Sequence, residues 1–295
     1  MDSPANFVHL HLHSQYSLLD GAIRIGDLVK KAKEYHMPAV AVTDHGNMFG
    51  SLEFFLKAQD KGIKPILGSE VYIAPGSRFD KKAPTAADPV TSYHLILLAE
   101  NMTGFKNLCY LTSAGYKDGF YRRPRIDKEL LEKHREGLIC LSACLQGEIA
   151  YLAGRNKMDE AKAAAIWYAD MFPGSYYLEI QENGLPEQTI ANRRVMEIAR
   201  ELDLPLVATN DCHYLNKEDA KAHEILLCIQ TGKTMSDPSR MRFTTEAFYV
   251  KSPEEMAREF HYCPEALTNT VKIAERCHYE FDFKTYHFPA YEAPP

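Results

Sequence analysis

The sequence predicts an α/β fold built on a parallel sheet, and three observations carry that expectation. Seven apolar runs rich in β-branched and aromatic residues recur along the chain. Segments with helical spacing separate them, and strand–helix alternation is the signature of parallel pairing. Finally, the chemically capable side chains fall near the ends of the runs, where a parallel barrel forms a single rim. The alternation alone leaves a closed barrel and an open doubly wound sheet both available.

Taken in order, Phe7 to His13 is the first run and Ile25 to Tyr35 the first helical segment. Ala39 to Asp44 is followed by the helical Leu52 to Lys61, and Pro65 to Ile73 by a long loop, Ala74 to Ser92, rich in Pro, Ala, Lys and Asp. Tyr93 to Ala99 precedes the helical Lys106 to Gly115 and a second loop, Tyr116 to Asp127, which carries Arg122, Arg123 and Arg125. Gly137 to Leu145, Tyr176 to Gln181 and Leu204 to Asn210 are the remaining strands, with helices over Ala161 to Phe172 and Gln188 to Glu201. After Leu215 the pattern turns helical, with candidates at Glu218 to Gln230, Pro253 to Phe260 and Pro264 to Cys277. The irregular stretch from Phe281 ends in Glu292, Ala293, Pro294 and Pro295 and reads as an inter-domain linker.

The 295 residues, 45% hydrophobic and 25% charged, suit a globular protein with a sizeable core. A net charge of −6 excludes a histone-like DNA binder, so nucleic-acid contact requires a local basic patch or bound cations. No apolar run of about 18 residues and no secretory start are readable, so no membrane partner is expected and the reading is cytoplasmic. The 7 cysteines include no CxxC pair, which fits reduced thiols that remain open to metal.

Three histidines, His9, His11 and His13, alternate at strand period and are expected to face one side. Buried imidazoles need partners, and a shared metal ion satisfies several at once. Thr43-Asp44-His45-Gly46 closes another strand, and Asp211-Cys212-His213 repeats the two-residue spacing. With Glu70, His94 and Cys144 on the same rim, and Asp20 after the first strand, the donors suffice for two or three metal ions. A carboxylate such as Glu70 can bridge two of them.

Six stretches are spread over most of the chain: residues 9 to 21, 41 to 48, 64 to 70, 119 to 127, 141 to 148 and 207 to 214. On them the sequence resembles the polymerase and histidinol phosphatase (PHP) superfamily, and within it the N-terminal PHP domains of bacterial DNA polymerase III alpha subunits. The resemblance implies a distorted seven-stranded β/α barrel with a helical C-terminal extension, spanning residues 1 to 280, and a linker from 281 to 295. It implies one metal on His11, His13, Glu70 and Asp211, a second on Glu70, His94 and Cys144, and a third on Asp20, His45 and His213. Cys144 stands where small-molecule phosphatases of the superfamily more often have histidine, and its softer thiolate favours Zn²⁺. Mn²⁺, Mg²⁺ and Fe²⁺ also suit the donors. His9 is expected beside the ligands and not among them.

The implied activity is a metal-dependent 3′→5′ exonuclease of proofreading type, acting on a DNA 3′ end through a metal-activated water placed by His11, His13, Glu70 and Asp211. Arg122, Arg123 and Arg125 are expected phosphate contacts. The implied partners are the rest of a polymerase III alpha chain, whose palm domain performs nucleotidyl transfer, and other replicase subunits. Two other readings use the same residues: a metal-stabilised docking module without catalysis, and a stand-alone phosphomonoesterase of histidinol phosphatase type. His36, His134, His223, His261, His278 and His287 are expected to be surface or structural groups, and Trp167 a packing residue.

Overall fold

The computed structural model describes residues 6–85, 89–286 and 288–291. His287 and the closing Glu292 to Pro295 lie outside the described residues. A curled mixed sheet forms the centre, with strands β1 (Ala39–Val42), β2 (Lys64–Ile73), β3 (Tyr93–Ala99), β4 (Arg125–Ile126), β5 (Leu138–Leu141), β6 (Tyr176–Gln181) and β7 (Leu206–Thr209). The order is β1-β2-β3-β5-β6-β7, and β4 pairs with the end of β2.

Helices α1 (Ile25–Glu34), α2 (Ser51–Lys61), α3 (Met102–Lys117), α4 (Lys128–Lys133), α5 (Glu148–Gly154), α6 (Met158–Met171) and α7 (Pro186–Leu202) cover the sheet. The expected helical extension is α8 (Ala220–Thr231), α9 (Pro253–Glu259) and α10 (Pro264–Arg276). Their sequences explain their limits. In α1 the buried Ile25, Leu28, Val29 and Ala32 form one stripe; α3 starts where the Asn101 side chain accepts from Thr103 and Gly104 N–H; α9 carries a Ser252–Glu255 capping box. The short α4 and α5 escaped the sequence reading because one or two turns show no period.

Two expectations need correction. The sheet is not wholly parallel: β3 runs antiparallel to both β2 and β5, whereas β1–β2, β5–β6 and β6–β7 are parallel. The reason is the connection 74–92, which has no crossover helix among its described residues, so the chain re-enters the sheet from the end it has just left. The first residues of β3 therefore lie at the same rim as the last residues of its neighbours.

The second correction concerns Phe7 to His13, which is not a ladder strand. It bridges the gap between the ends of β7 and β1 through a Leu12–Cys212 bridge and two bonds, Ala41 N–H of β1 to His9 O and Thr43 N–H, just after β1, to Leu12 O. The two-residue step from Ala41 to Thr43 thus spans three residues of the segment, and the extra residue kinks it like a β-bulge. This segment closes the curled sheet into a distorted barrel.

The two long loops are fixed to the rim by buried polar contacts. Arg78 Nη1 lies 2.9 Å from Asp127 Oδ1, and Asp127 also caps α4. Arg125 is 3% exposed and spends its guanidinium on the carbonyls of Gly119, Thr91, Arg78 and Asp80. It is consequently unavailable to a phosphate, and the expected DNA contact at this position is withdrawn. Arg125→Ala is expected to lower unfolding free energy by about 2–4 kcal/mol, because buried carbonyls lose their donors. Arg123→Ala should stay within about 0.5 kcal/mol. Urea denaturation of the two variants checks this.

Candidate metal centre

The rim gathers its polar side chains from separate parts of the barrel. His11 and His13 come from the kinked closing segment, His45 from the turn after β1, Glu70 from inside β2, and His94 from the start of the reversed β3. Cys144 follows β5, and Asp211 and His213 follow β7. Ala143 and Asp211 adopt left-handed φ values of 64° and 51°, so both turns are bent sharply where their donors enter the rim. For that reason Asp211 and His213 do not alternate as on a strand, the expected geometry. They join different donor groups, although His213 Nδ1 lies 3.6 Å from Asp211 Oδ1.

Three groups of donor atoms converge to within 4.8 Å: His11, His13, Glu70 and Asp211; Glu70, His94 and Cys144; and His13, His45 and His213. His11 Nε2 lies 3.4 Å from Glu70 Oε2 and 3.1 Å from Asp211 Oδ1, and His13 Nε2 lies 3.0 Å and 3.1 Å from the same two oxygens. Bonds of about 2.1 Å to a shared ion place neighbouring donors about 3.0–3.4 Å apart in octahedral or tetrahedral shells. Cys144 Sγ lies 3.8 Å from His94 Nδ1, and His94 Nδ1 contacts Glu70 Oε1. Asp20 Oδ2 is 3.0 Å from His45 Nε2, and Asp20 Oδ1 is 3.9 Å from His213 Nε2.

The donors fit divalent ions in a second respect. His11 Nε2, His45 Nδ1 and both Glu70 carboxylate oxygens are buried without a hydrogen-bond partner. Such groups are costly in a protein interior, and a coordinated cation satisfies them together. Their outward atoms, by contrast, are fully engaged. His11 Nδ1 is 2.6 Å from Glu179 Oε1, and Glu179 in turn accepts from Gln181 Nε2 at 2.8 Å and from Thr209 Oγ1. His13 Nδ1 is 3.1 Å from Ser17 Oγ, whose hydroxyl donates to Asp44 Oδ1 at 2.8 Å. Each arrangement fixes an imidazole ring and leaves its inner nitrogen aimed at the centre.

Burial alone would raise Glu70, but His94 and His45 outweigh it and hold its carboxyl well below the usual range. Asp211 is likewise held down against its burial by His11 and His213. Burial opposes protonation of His11, yet Asp211 and Glu179 hold its pKa well above the ordinary imidazole value. Burial pushes the Cys144 thiol up, helped by Asp211 and Glu70. A divalent ion deprotonates a coordinating thiol outright.

Of the sequence-predicted residues, His11, His13, His45, Glu70, His94, Cys144, Asp211, His213 and Asp20 all meet at this rim, with Asp20 at its outer edge. His9 stands apart from the donor groups: its Nε2 bonds Lys251 O at 2.9 Å and its Nδ1 lies 3.5 Å from Cys212 Sγ. Arg122 and Arg123 line a cavity together with Asp20 and His45. Of the two places expected for His223, surface or structural, the second holds: it is buried, with Nε2 3.8 Å from Asp20 Oδ1 and its ring 5.0 Å from Phe243. Its helix, α8, folds back over the rim, which spacing along the chain does not reveal. Glu179 was also missed, although a carboxylate alternating with Gln181 inside an otherwise apolar strand was a readable signal. Trp167 is partly buried against the core, with Lys128 Nζ 4.9 Å from its ring centre, in keeping with a packing role.

The PHP domain family model matches residues 9–183. DNA polymerase III alpha subunits of Borreliella burgdorferi and Aquifex aeolicus are 49% and 47% identical, over 100% and 98% of the chain. That of Thermus aquaticus is 46% identical over 100% of the chain. The chain spans only about a quarter of the length of these relatives, 26%, 26% and 25%. A solved two-domain protein from Bacteroides vulgatus, described as containing a predicted PHP-like metal-dependent phosphoesterase, aligns with 92% of the chain and 66% of its own at 13% identity and a TM-score of 0.45.

Glu179→Gln removes the charge behind His11 while keeping its shape. It is expected to weaken zinc binding about 10–100-fold without changing the number of ions bound, as read by competition with a fluorescent chelator. His9 yields a pH prediction. Burial lowers its pKa from 6.5 to about 4, so the unfolded chain binds a proton that the folded one refuses. Stability contributed by neutral His9 is present above pH 6.5 and is lost as pH falls towards 4, by up to about 3 kcal/mol. In metal-free protein, His9→Asn should flatten the decline of the urea midpoint between pH 7 and 4.5 by about one proton.

Proposed function

Because the chain belongs to the PHP domain family, we propose that its rim cluster is a centre of two to three divalent ions that hydrolyses phosphodiester bonds. The carrying observation is the convergence of nine donors around the buried carboxylate of Glu70. In this reading His11, His13, Glu70 and Asp211 hold one ion, Glu70 with His94 and Cys144 a second, and Asp20, His45 and His213 a third. Three carboxylates and a thiolate bring four negative charges, which two divalent ions neutralise. A third leaves positive charge to attract a phosphate. When bound, such ions supply an activated water and hold the oxygens of an in-line displacement.

The chain's own residues set the geometry. Glu179 and the Ser17–Asp44 pair orient His11 and His13, and the cavity beside them, about 290 Å³ and lined by Asn183, Leu185 and Phe243, gives room for a terminal nucleotide. Arg122 and Arg123 stand beside His45 to meet the phosphate that follows.

The substrate proposed is the 3′ end of DNA, with removal of mispaired nucleotides as the outcome. It rests on the similarity to polymerase III alpha subunits. The parent would then be a bacterial, cytoplasmic replicative polymerase, with nucleotidyl transfer and the partner subunits lying beyond this quarter, and residues 281–295 leading towards them. No helix among the described residues is long and apolar enough to cross a membrane.

The test is release of the 3′-terminal nucleotide from a labelled, mismatched primer–template with added Mn²⁺ or Zn²⁺. Wild-type chain should release it, and His13→Ala should lose at least about 100-fold, as expected for removal of a metal ligand. A folded, metal-loaded chain that releases nothing would instead favour the docking role.

A further inference from the structure

Outside the metal donors, the rim carries a cavity of about 160 Å³ that opens beside Asp20 and His45. Its far wall is aromatic and cationic: Phe49, Tyr116, Phe120, Arg122 and Arg123, with Leu18 at the lip. Phe49 is 59% exposed, Phe120 49% and Tyr116 43%, although large apolar rings are normally covered. The three rings form a continuous row, with Phe49 and Tyr116 centroids 6.4 Å apart and Tyr116 and Phe120 stacked at 6.1 Å. A row of half-exposed rings suits planar partners.

The loop that holds the arginines is tightly packed and tied down at several points. Arg122 takes a left-handed φ of 61°, uncommon for a residue with a side chain, in a tight turn where Tyr121 N–H donates to Arg123 O at 3.1 Å. Pro124 packs so closely on Gly46, next to His45, that a Cβ there would come within 2.7 Å of its ring. A Cβ at Gly119 would collide with the Arg125 carbonyl. Arg125 anchors the loop from beneath. Among the described residues, neither the Arg122 nor the Arg123 guanidinium has an ion-pair or hydrogen-bond partner; they lie 5.6 Å from the rings of Tyr121 and Tyr72. Strain stored to present two unpaired cations beside an aromatic row points to an anionic, planar ligand.

We propose that this face is the docking track for an unpaired nucleic-acid strand entering the metal centre by its 3′ end. Bases stack on Phe49, Tyr116 and Phe120, while Arg122 and Arg123 hold the phosphates between them. The track rests on the reading of the rim as a phosphodiester site, and it defines the substrate further: a frayed or single-stranded terminus, since paired bases present no faces to the rings. Such a track explains how a chain of net charge −6 grips DNA, by a short local contact and not by a broad basic surface.

The experiment measures anisotropy of a 5′-fluorescein-labelled 12-nucleotide single strand, with EDTA present, for wild type, Phe120→Leu, Phe49→Leu and the double variant Arg122→Ala/Arg123→Ala. Leucine keeps the apolar bulk and removes the stacking face, so the variants should keep the wild-type thermal midpoint. Each leucine variant is expected to bind about fivefold more weakly or worse. The double arginine variant should lower the slope of log affinity against log salt by about 1.4, that is, two phosphate contacts. A blunt duplex of the same sequence should bind more weakly than the single strand. Undiminished binding by the folded variants, or no binding by wild type, overturns the track. Turnover of bis(4-nitrophenyl) phosphate by Mn²⁺-loaded wild type reports the metal centre separately. If that turnover is absent while the variants still lose single-strand affinity, the hydrolytic reading fails and the track stands.

Discussion

The structure is organised around one buried carboxylate. Glu70 is 1% exposed and has four imidazoles against it: His11 and His13 at 3.4 and 3.0 Å, His45 at 3.0 Å, and His94. A lone carboxylate in that position would be excluded on desolvation grounds. It is tolerated because β2, the longest strand, pairs with β1, β3 and β4 and so stands among the elements that deliver those rings. The rest of the rim follows from that placement. The turns that deliver Cys144 and Asp211 to the rim contain the left-handed residues Ala143 and Asp211.

The reversal of β3 is the topological consequence. In a wholly parallel barrel the start of a strand lies at the bottom, and His94, the second residue of β3, would be a strand length away from Glu70. A loop in place of a crossover helix turns β3 over and pairs Tyr72 with His94 in register. The sequence showed the components, a helix-free stretch from Ala74 to Ser92 and a histidine at the wrong end of its strand. Joined, they would have indicated an antiparallel strand. What prevented it was the regular alternation on either side, which made a parallel sheet the simpler reading.

Other parts of the site were legible to different degrees for reasons that differ by residue. The donors announced themselves because His, Asp, Glu and Cys at strand ends are chemically conspicuous and because two-residue spacing survives even on a kinked segment. His223 did not, since its proximity to Asp20 depends on where α8 lands, a tertiary fact with no local trace. Arg125 misled in the opposite direction: three arginines in four residues look alike in sequence, yet the strand pairing of β4 turns one inward against four carbonyls. The difference between Arg123 and Arg125 is one of position: Arg125 opens β4 and is buried, whereas Arg123 lies in the turn before it and is exposed.

That difference also separates the rim into two layers with opposite physics. In the inner layer the groups are buried and fixed from behind by Glu179, Ser17 and Asp44, and they can be satisfied only by something small and highly charged. In the outer layer the rings of Phe49 and Phe120 and the guanidinium groups of Arg122 and Arg123 are exposed, so they favour something large, flat and singly charged per unit. Arg125 and Pro124 connect the two, since they hold the outer loop against the turn that carries His45. A polymer with planar groups joined by phosphates meets both demands at once, whereas a small phosphomonoester meets only the inner one and leaves the aromatic row without purpose.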